Sequence, residues 1–268
     1  MKNTYLIIII SLFSLQNLFA QKTELPLRFD SYYTLNEVNE ALKSLHEGYP
    51  KLTELDLVGT SEENREIWAL TINNPKTGEE LQKPGVYVDG NIHGNELQAA
   101  EVCLYFAQEL LSNYGKNDKL TKLTDRNAYY IVPVVNVDGR AHFFEDGNTP
   151  STNRGLRRPK DDDRDGLKDE DLPNDLDGDG NICQMRKKDP NGQYKTDPEE
   201  PRLMIPVKDG EQGDWTILGY EGTDDDGDGK LNEDSEGYVD GNRNWPHNWQ
   251  PAYVQRGAGN YPLSGVGL

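Results

Sequence analysis

The chain has 268 residues, 47 acidic against 28 basic, and a formal net charge of −19. That balance excludes binding nucleic acid through a basic surface, because phosphate contacts need Lys and Arg. Mean hydropathy is −0.83, low for a chain folded throughout, yet residues 161–240 hold 26 acidic and 9 basic side chains and so carry 17 of the 19 excess charges. The remainder is near-neutral and long enough for one domain.

Residues 1–20 read as a secretory signal peptide, with Lys2 in the charged region, an apolar run over 5–15 and Ala20 before the cut. The run is shorter than the ~20 residues that span a bilayer. The expectation is a mature chain starting at Gln21, secreted or periplasmic, with no membrane association after signal cleavage.

Leu35, Val38, Leu42 and Leu45 recur at helical spacing behind Thr34, a ready N-cap, and Pro50 closes the segment. Runs over 53–58 and 66–72 read as strands joined by the polar turn 61–64. Residues 85–89 form a compact β run ending in Gly90, and a helix is predicted over about 96–113 with Leu97, Ala100, Leu104, Ala107 and Leu111 on one face. Residues 129–135 are apolar on both faces and predict a central strand, with Pro133 marking a bulge or an early end. This order predicts an α/β domain with a mixed, mostly parallel sheet and helices on both faces. Cys103 lies inside the second helix and reads as a buried thiol rather than half of a disulfide with Cys183.

After about Gly139 the periodic apolar pattern stops, but the acidic residues are ordered. Three windows repeat D-x-D-x-D-G. The first holds Asp161, Asp163, Asp165 and Gly166, followed by Asp169 and Asp171. The second holds Asp175, Asp177, Asp179 and Gly180. The third holds Asp224, Asp226, Asp228 and Gly229, followed by Asn232 and Asp234. Carboxylates at positions 1, 3 and 5 converge on one hard cation, and Gly at position 6 permits the sharp turn. An oxygen-only donor set favours Ca²⁺ over Zn²⁺. None of the windows has Glu at position 12, so they are not full EF-hands.

Between the strand at 85–89 and the following helix lies Asp89-Gly-Asn-Ile-His93-Gly-Asn-Glu96. An imidazole and a carboxylate three residues apart suit two ligands to one Zn²⁺, at the strand end where α/β sheets build their sites. Downstream, Asn242 and Arg243 beside Trp245 can grip a carboxylate, since a guanidinium donates two parallel hydrogen bonds. Asn153, Arg154, Arg157 and Arg158 form a further cationic cluster.

In this order the motifs resemble the zinc carboxypeptidases, the carboxypeptidase A-like metallopeptidases, over about residues 34–264. The resemblance implies His93 and Glu96 as zinc ligands, Arg157 as the arginine that stabilises the oxyanion, and Asn242 with Arg243 as the grip on a terminal carboxylate. It further implies zinc-assisted attack of water on the last peptide bond of a peptide or protein substrate with a free C-terminus. The acidic repeats then occupy an insertion at about 158–240 in a domain spanning 21–268. The family's third zinc ligand and catalytic Glu find no match: His46 and His142 are misplaced, and His247 is an outside candidate. The expectation is therefore a C-terminally truncated chain, inactive by itself. The alternative is a non-catalytic, calcium-dependent carboxylate- or peptide-binding protein.

Overall fold

The computed structural model describes residues 25–147, 154–161, 164–169, 171–232 and 237–264. The expected signal peptide, Asn153, Asp163 and Asp234 lie outside the described residues.

Helix α1 (Leu35–Gly48) starts where its capping box closes: Thr34 Oγ1 accepts the Glu37 N–H at 3.3 Å, and Glu37 Oε2 accepts the Thr34 N–H at 2.7 Å. Val38, Ala41, Leu42 and Leu45 are its buried stripe. Strands β1 (Thr53–Thr60) and β2 (Glu66–Ile72) form an antiparallel hairpin. Next come β3 (Gly85–Asp89), α2 (Gln98–Ser112), α3 (Asp118–Arg126) and β4 (Ala128–Val132), and the sheet order is β1-β2-β4-β3. β4 is central as its double-sided apolar character requires. It stops one residue before Pro133, which has no N–H to continue the ladder.

The sheet is mixed, but β3–β4 is its one parallel pairing, against two antiparallel ones, so it is less parallel than the sequence suggested. The short β1–β2 turn accounts for one of these, since it can only join antiparallel strands. Helices α1 and α2 share the face carrying Leu70, Val88 and Ile131. On the opposite face Tyr87 is 63% exposed, so at β3 the described residues cover one face where helices on both were expected. Cys103 is buried and Cys183 exposed, and both are free. Burial, helped by Asp89 and Glu101, pushes the Cys103 thiol up to about 11.

Helix α4 (Val137–Glu145) was not legible in the sequence. Asn136 caps it, accepting the Gly139 N–H at 2.8 Å. The acidic segment opens with β5 (Leu156–Arg157) and builds a second sheet from β6 (Gln184–Lys188), β7 (Tyr194–Thr196), β8 (Met204–Pro206) and β9 (Trp215–Tyr220), in the order β6-β9-β7-β8. It closes with β10 (Tyr238–Val239), antiparallel to β5. No helix among the described residues is long and apolar enough to cross a membrane.

Arg140 of α4 is fully buried. Its guanidinium reaches Glu101 of α2 at 2.6 Å, Asn91 Oδ1 at 2.9 Å, and the carbonyls of Leu97 and Tyr33 at 3.0 and 2.5 Å. Burial pulls its pKa below the ordinary guanidinium value, and the Glu101 carboxylate opposes that. Removing one member of such a pair leaves the other charge buried and uncompensated. Arg140→Met is therefore expected to lower the unfolding free energy by about 3–5 kcal/mol, read from urea denaturation. Adding Glu101→Gln should recover part of the loss, and a single-variant cost below about 1 kcal/mol would contradict this account.

Candidate metal centre

The loop from β3 to α2 is an extension of the parallel β3–β4 pairing. Gly90 donates to Val132 O and accepts from Val135 N, both at 3.0 Å, and Asn91 O accepts from Asn136 N at 3.1 Å. A Cβ at Gly90 would stand 2.9 Å from both Ala99 O and Pro133 O, so only glycine fits. The loop then wraps around the Asn91 side chain, whose Nδ2 donates to His93 O at 2.6 Å and to Gly94 O and Glu96 O at 3.3 Å. Its Oδ1 is held by Arg140. A buried polar post, itself braced from α4, thus fixes the backbone that carries His93 and Glu96.

His93 is 4% exposed. Its Nε2 lies 3.1 Å from Asp240 Oδ1, across 147 residues of sequence. Its Nδ1 stands 3.1 Å from Glu96 Oε1 yet makes no hydrogen bond. An Nε2–H donated to Asp240 leaves the lone pair on Nδ1, beside a carboxylate oxygen and without a donor to satisfy it. That is the donor set and orientation a divalent metal with nitrogen and oxygen ligands takes, with Asp240 in the outer position that orients the imidazole.

Asp240 also caps the 3₁₀ turn Gly241–Arg243, accepting the Asn242 N–H at 2.9 Å. One carboxylate therefore positions both the imidazole and the Asn242–Arg243 pair. Asn242 is exposed and Arg243 half-buried. Arg154 joins the group, with Nε 3.3 Å from Asp240 Oδ2 and Nη1 3.5 Å from Glu96 Oε1. Its segment is held in place by Asn136, whose Nδ2 donates to Arg154 O at 3.4 Å and Gly155 O at 3.3 Å.

The structure thus brings His93 and Glu96 together and sets Asn242 and Arg243 on the adjoining turn. Among the described residues Arg157 pairs with Asp146, and no contact with His93, Glu96, Asn242 or Arg243 is found. Asp240 and Arg154 were missed as site residues. Arg154 sits inside the cationic cluster quoted above and Asp240 stands two residues before Asn242, but no local spacing marks them. His247 is exposed and contacts Asn248 at 3.1 Å, and His142 is engaged by Glu63 at 2.9 Å. Among the described residues no third His, Cys or carboxylate closes a metal-sized group with His93 and Glu96.

The acidic windows fold as loops of one design. In the second, Asp175 accepts the N–H groups of Gly178 and Gly180, both at 2.8 Å. In the third, Asp224 accepts those of Gly227 at 2.7 Å and Gly229 at 3.0 Å. Asp177 and Asp226 accept from Asp179 and Asp228, and Asp179 and Asp228 accept from Asn181 and Lys230. Positions 4 and 6 are left-handed, with φ of 74° and 87° at Gly178 and Gly180 and 85° and 93° at Gly227 and Gly229. In the first window Asp161 accepts from Arg164 and Asp165 from Leu167, while Asp169 accepts from Lys160. The Asp228 N–H lowers the pKa of Asp226, but desolvation and the charges of Asp228, Asp171 and Asp224 outweigh it and leave that carboxyl raised.

A family model described as zinc carboxypeptidase matches residues 38–265. The chain is 34% identical to human carboxypeptidase D over 148 residues, 55% of this chain and 11% of that one. It is 35% identical to carboxypeptidase B of Astacus astacus over 116 residues, 43% of this chain and 36% of that one. Among solved structures, carboxypeptidase A from Helicoverpa armigera matches 49% of this chain and 30% of its own, with 27% identity and a TM-score of 0.43. The chain spans about a tenth to a third of these relatives' lengths.

Asp240→Asn keeps an oxygen for the cap but removes the charge behind the imidazole. It is expected to weaken zinc binding by about 10–100-fold, measured by competition with a chromophoric chelator. Unchanged affinity would exclude His93 as the ligand that Asp240 orients.

Proposed function

The chain belongs to the zinc carboxypeptidase family, and from that premise we propose that it acts as an exported zinc-dependent metallocarboxypeptidase hydrolysing C-terminal peptide bonds. The observation that carries this reading is the buried His93 imidazole, tied to Asp240 through Nε2 and presenting an unbonded Nδ1 beside Glu96. His93 and Glu96 would hold the zinc. Bound there, the metal would supply a Lewis acid for the substrate carbonyl and lower the pKa of a coordinated water.

The chain's own groups do the rest. Asn242 and Arg243, on the turn that Asp240 caps, receive the terminal carboxylate of a peptide or protein substrate and thereby set the last peptide bond at the metal. Arg154, rather than Arg157, is assigned to balance charge developing on the scissile carbonyl, because it already stands between Glu96 and Asp240. Arg157, paired with Asp146, supports the β5 segment from which Arg154 projects. Calcium in the acidic loops would neutralise carboxylates that otherwise repel one another.

Steady-state kinetics of the enzyme test the assignment. Arg243→Ala should cost about 2–4 kcal/mol in kcat/KM on peptides with a free C-terminus, chiefly through KM, and far less on their C-terminal amides. Equal losses on both would remove the carboxylate grip. Arg154→Ala should lower kcat by roughly 10²–10³ while Arg157→Ala costs little; the reverse order would return the role to Arg157.

A further inference from the structure

The second and third acidic loops sit at the same end of the antiparallel β6–β9 ribbon, because loop 175–180 precedes β6 and loop 224–229 follows β9. Each loop meets a carboxylate that stands just before the other. Glu221 accepts the Leu176 N–H at 2.8 Å, and Asp171 accepts the Asp225 N–H at 2.7 Å. Both acceptors thus take the N–H of the second loop position. One carboxylate oxygen from each of Asp175, Asp177 and Glu221 falls within 4.8 Å of the others, and the same holds for Asp171, Asp224 and Asp226. In the first group every carboxylate is at least partly exposed.

The second group is different. Asp171 is 0% exposed, and its Oδ2 has no hydrogen-bond partner. An ionised carboxylate oxygen buried without a donor is costly, and Asp171 is grouped with two further carboxylates. Nothing in the local chain requires an aspartate there, since the single N–H it caps would be served equally by a neutral amide oxygen. A hard cation shared by the three residues removes both the desolvation penalty and the repulsion.

We propose that Asp171, Asp224 and Asp226 form a calcium site that clamps the neck of the acidic segment. This rests on reading the acidic windows as calcium loops, and it adds a ligand from outside the loop, 54 residues from its contact in the third window. Closer to the metal centre, from Asp169 and Gly237 onward, the two chain segments run side by side. Asp169 accepts the Gly237 N–H at 3.5 Å, the Arg158 N–H bonds to Gly237 O, and Arg157 pairs with Tyr238. Just beyond that ladder lie Arg154 and Asp240, which reach His93 and Glu96. Calcium at the neck holds the two chain ends in register, and so holds Asp240 against His93.

The test compares Asp171→Asn with the unmodified chain, in calcium and in EDTA, by thermal unfolding and by calorimetric titration with calcium. The amide keeps the oxygen that accepts the Asp225 N–H and removes the charge. In EDTA the variant is expected to unfold at the same or a higher temperature, because an unpaired buried charge is gone. In calcium the order reverses, and at least one site loses ten-fold or more in affinity. Zinc affinity, measured alongside, should rise with calcium in the unmodified chain and stop responding in the variant. Calcium binding of unchanged affinity and stoichiometry in Asp171→Asn would overturn this site and leave the loop reading standing. No calcium binding by the unmodified chain would overturn both.

Discussion

The contact between His93 and Asp240 is the constraint around which the molecule is arranged. Two buried side chains, 147 residues apart in sequence, meet at 3.1 Å. A buried imidazole needs both nitrogens accounted for, and Asp240 accounts for one. The other is left facing Glu96 without a hydrogen bond, the arrangement on which the proposed ligand role of the histidine rests. The chain on either side of the acidic segment has to meet in register for that contact to exist, and the β5–β10 ladder is where it does so.

The centre rests on a polar brace rather than on apolar packing. Arg140 ties Tyr33, Glu101, Leu97 and Asn91 together, and Asn91 in turn holds three carbonyls of the β3–α2 loop. A network of this kind is favourable only while each member is satisfied, so its parts are interdependent in a way that scattered surface pairs are not. It gives the loop one conformation before any metal arrives, which is what pre-organised ligands require. The same logic reappears at the neck of the acidic segment, where a buried Asp171 is placed among like charges.

Much of the α/β half was legible because its signals are local. Thr34 and Glu37 mark the start of α1, alternation marks the hairpin, and Pro133 ends β4. The meeting of His93 and Glu96 was legible because an H-x-x-E pair at a strand end is also a local pattern. Asp240 and Arg154 were not, because their part in the site consists of contacts across 58 to 147 residues that no spacing encodes. Helix α4 escaped notice since Val137, Asp138, Gly139, Arg140 and Ala141 are all buried, so no amphipathic stripe appears. The strand β6, Gln184–Lys188, is nearly all charged or polar. It is held by its ladder to β9 and by Arg186 and Lys188 lying 4.4 and 5.7 Å from the Trp215 ring, features invisible to hydrophobic periodicity. The regular spacing of the acidic windows, by contrast, did carry the loop conformation, down to the left-handed glycines at position 6.

The most direct test of the account is the protonation and metallation state of each imidazole, read by ¹⁵N NMR of the histidine-labelled chain as zinc is added. The chain has four histidines, so the signals can be assigned by single substitutions. The account predicts that His93 alone responds, with Nδ1 shifting on metal binding while Nε2 keeps a proton shared with Asp240. Metallation of His93 through Nε2, or a zinc response at His142 or His247 with His93 unmoved, would contradict it.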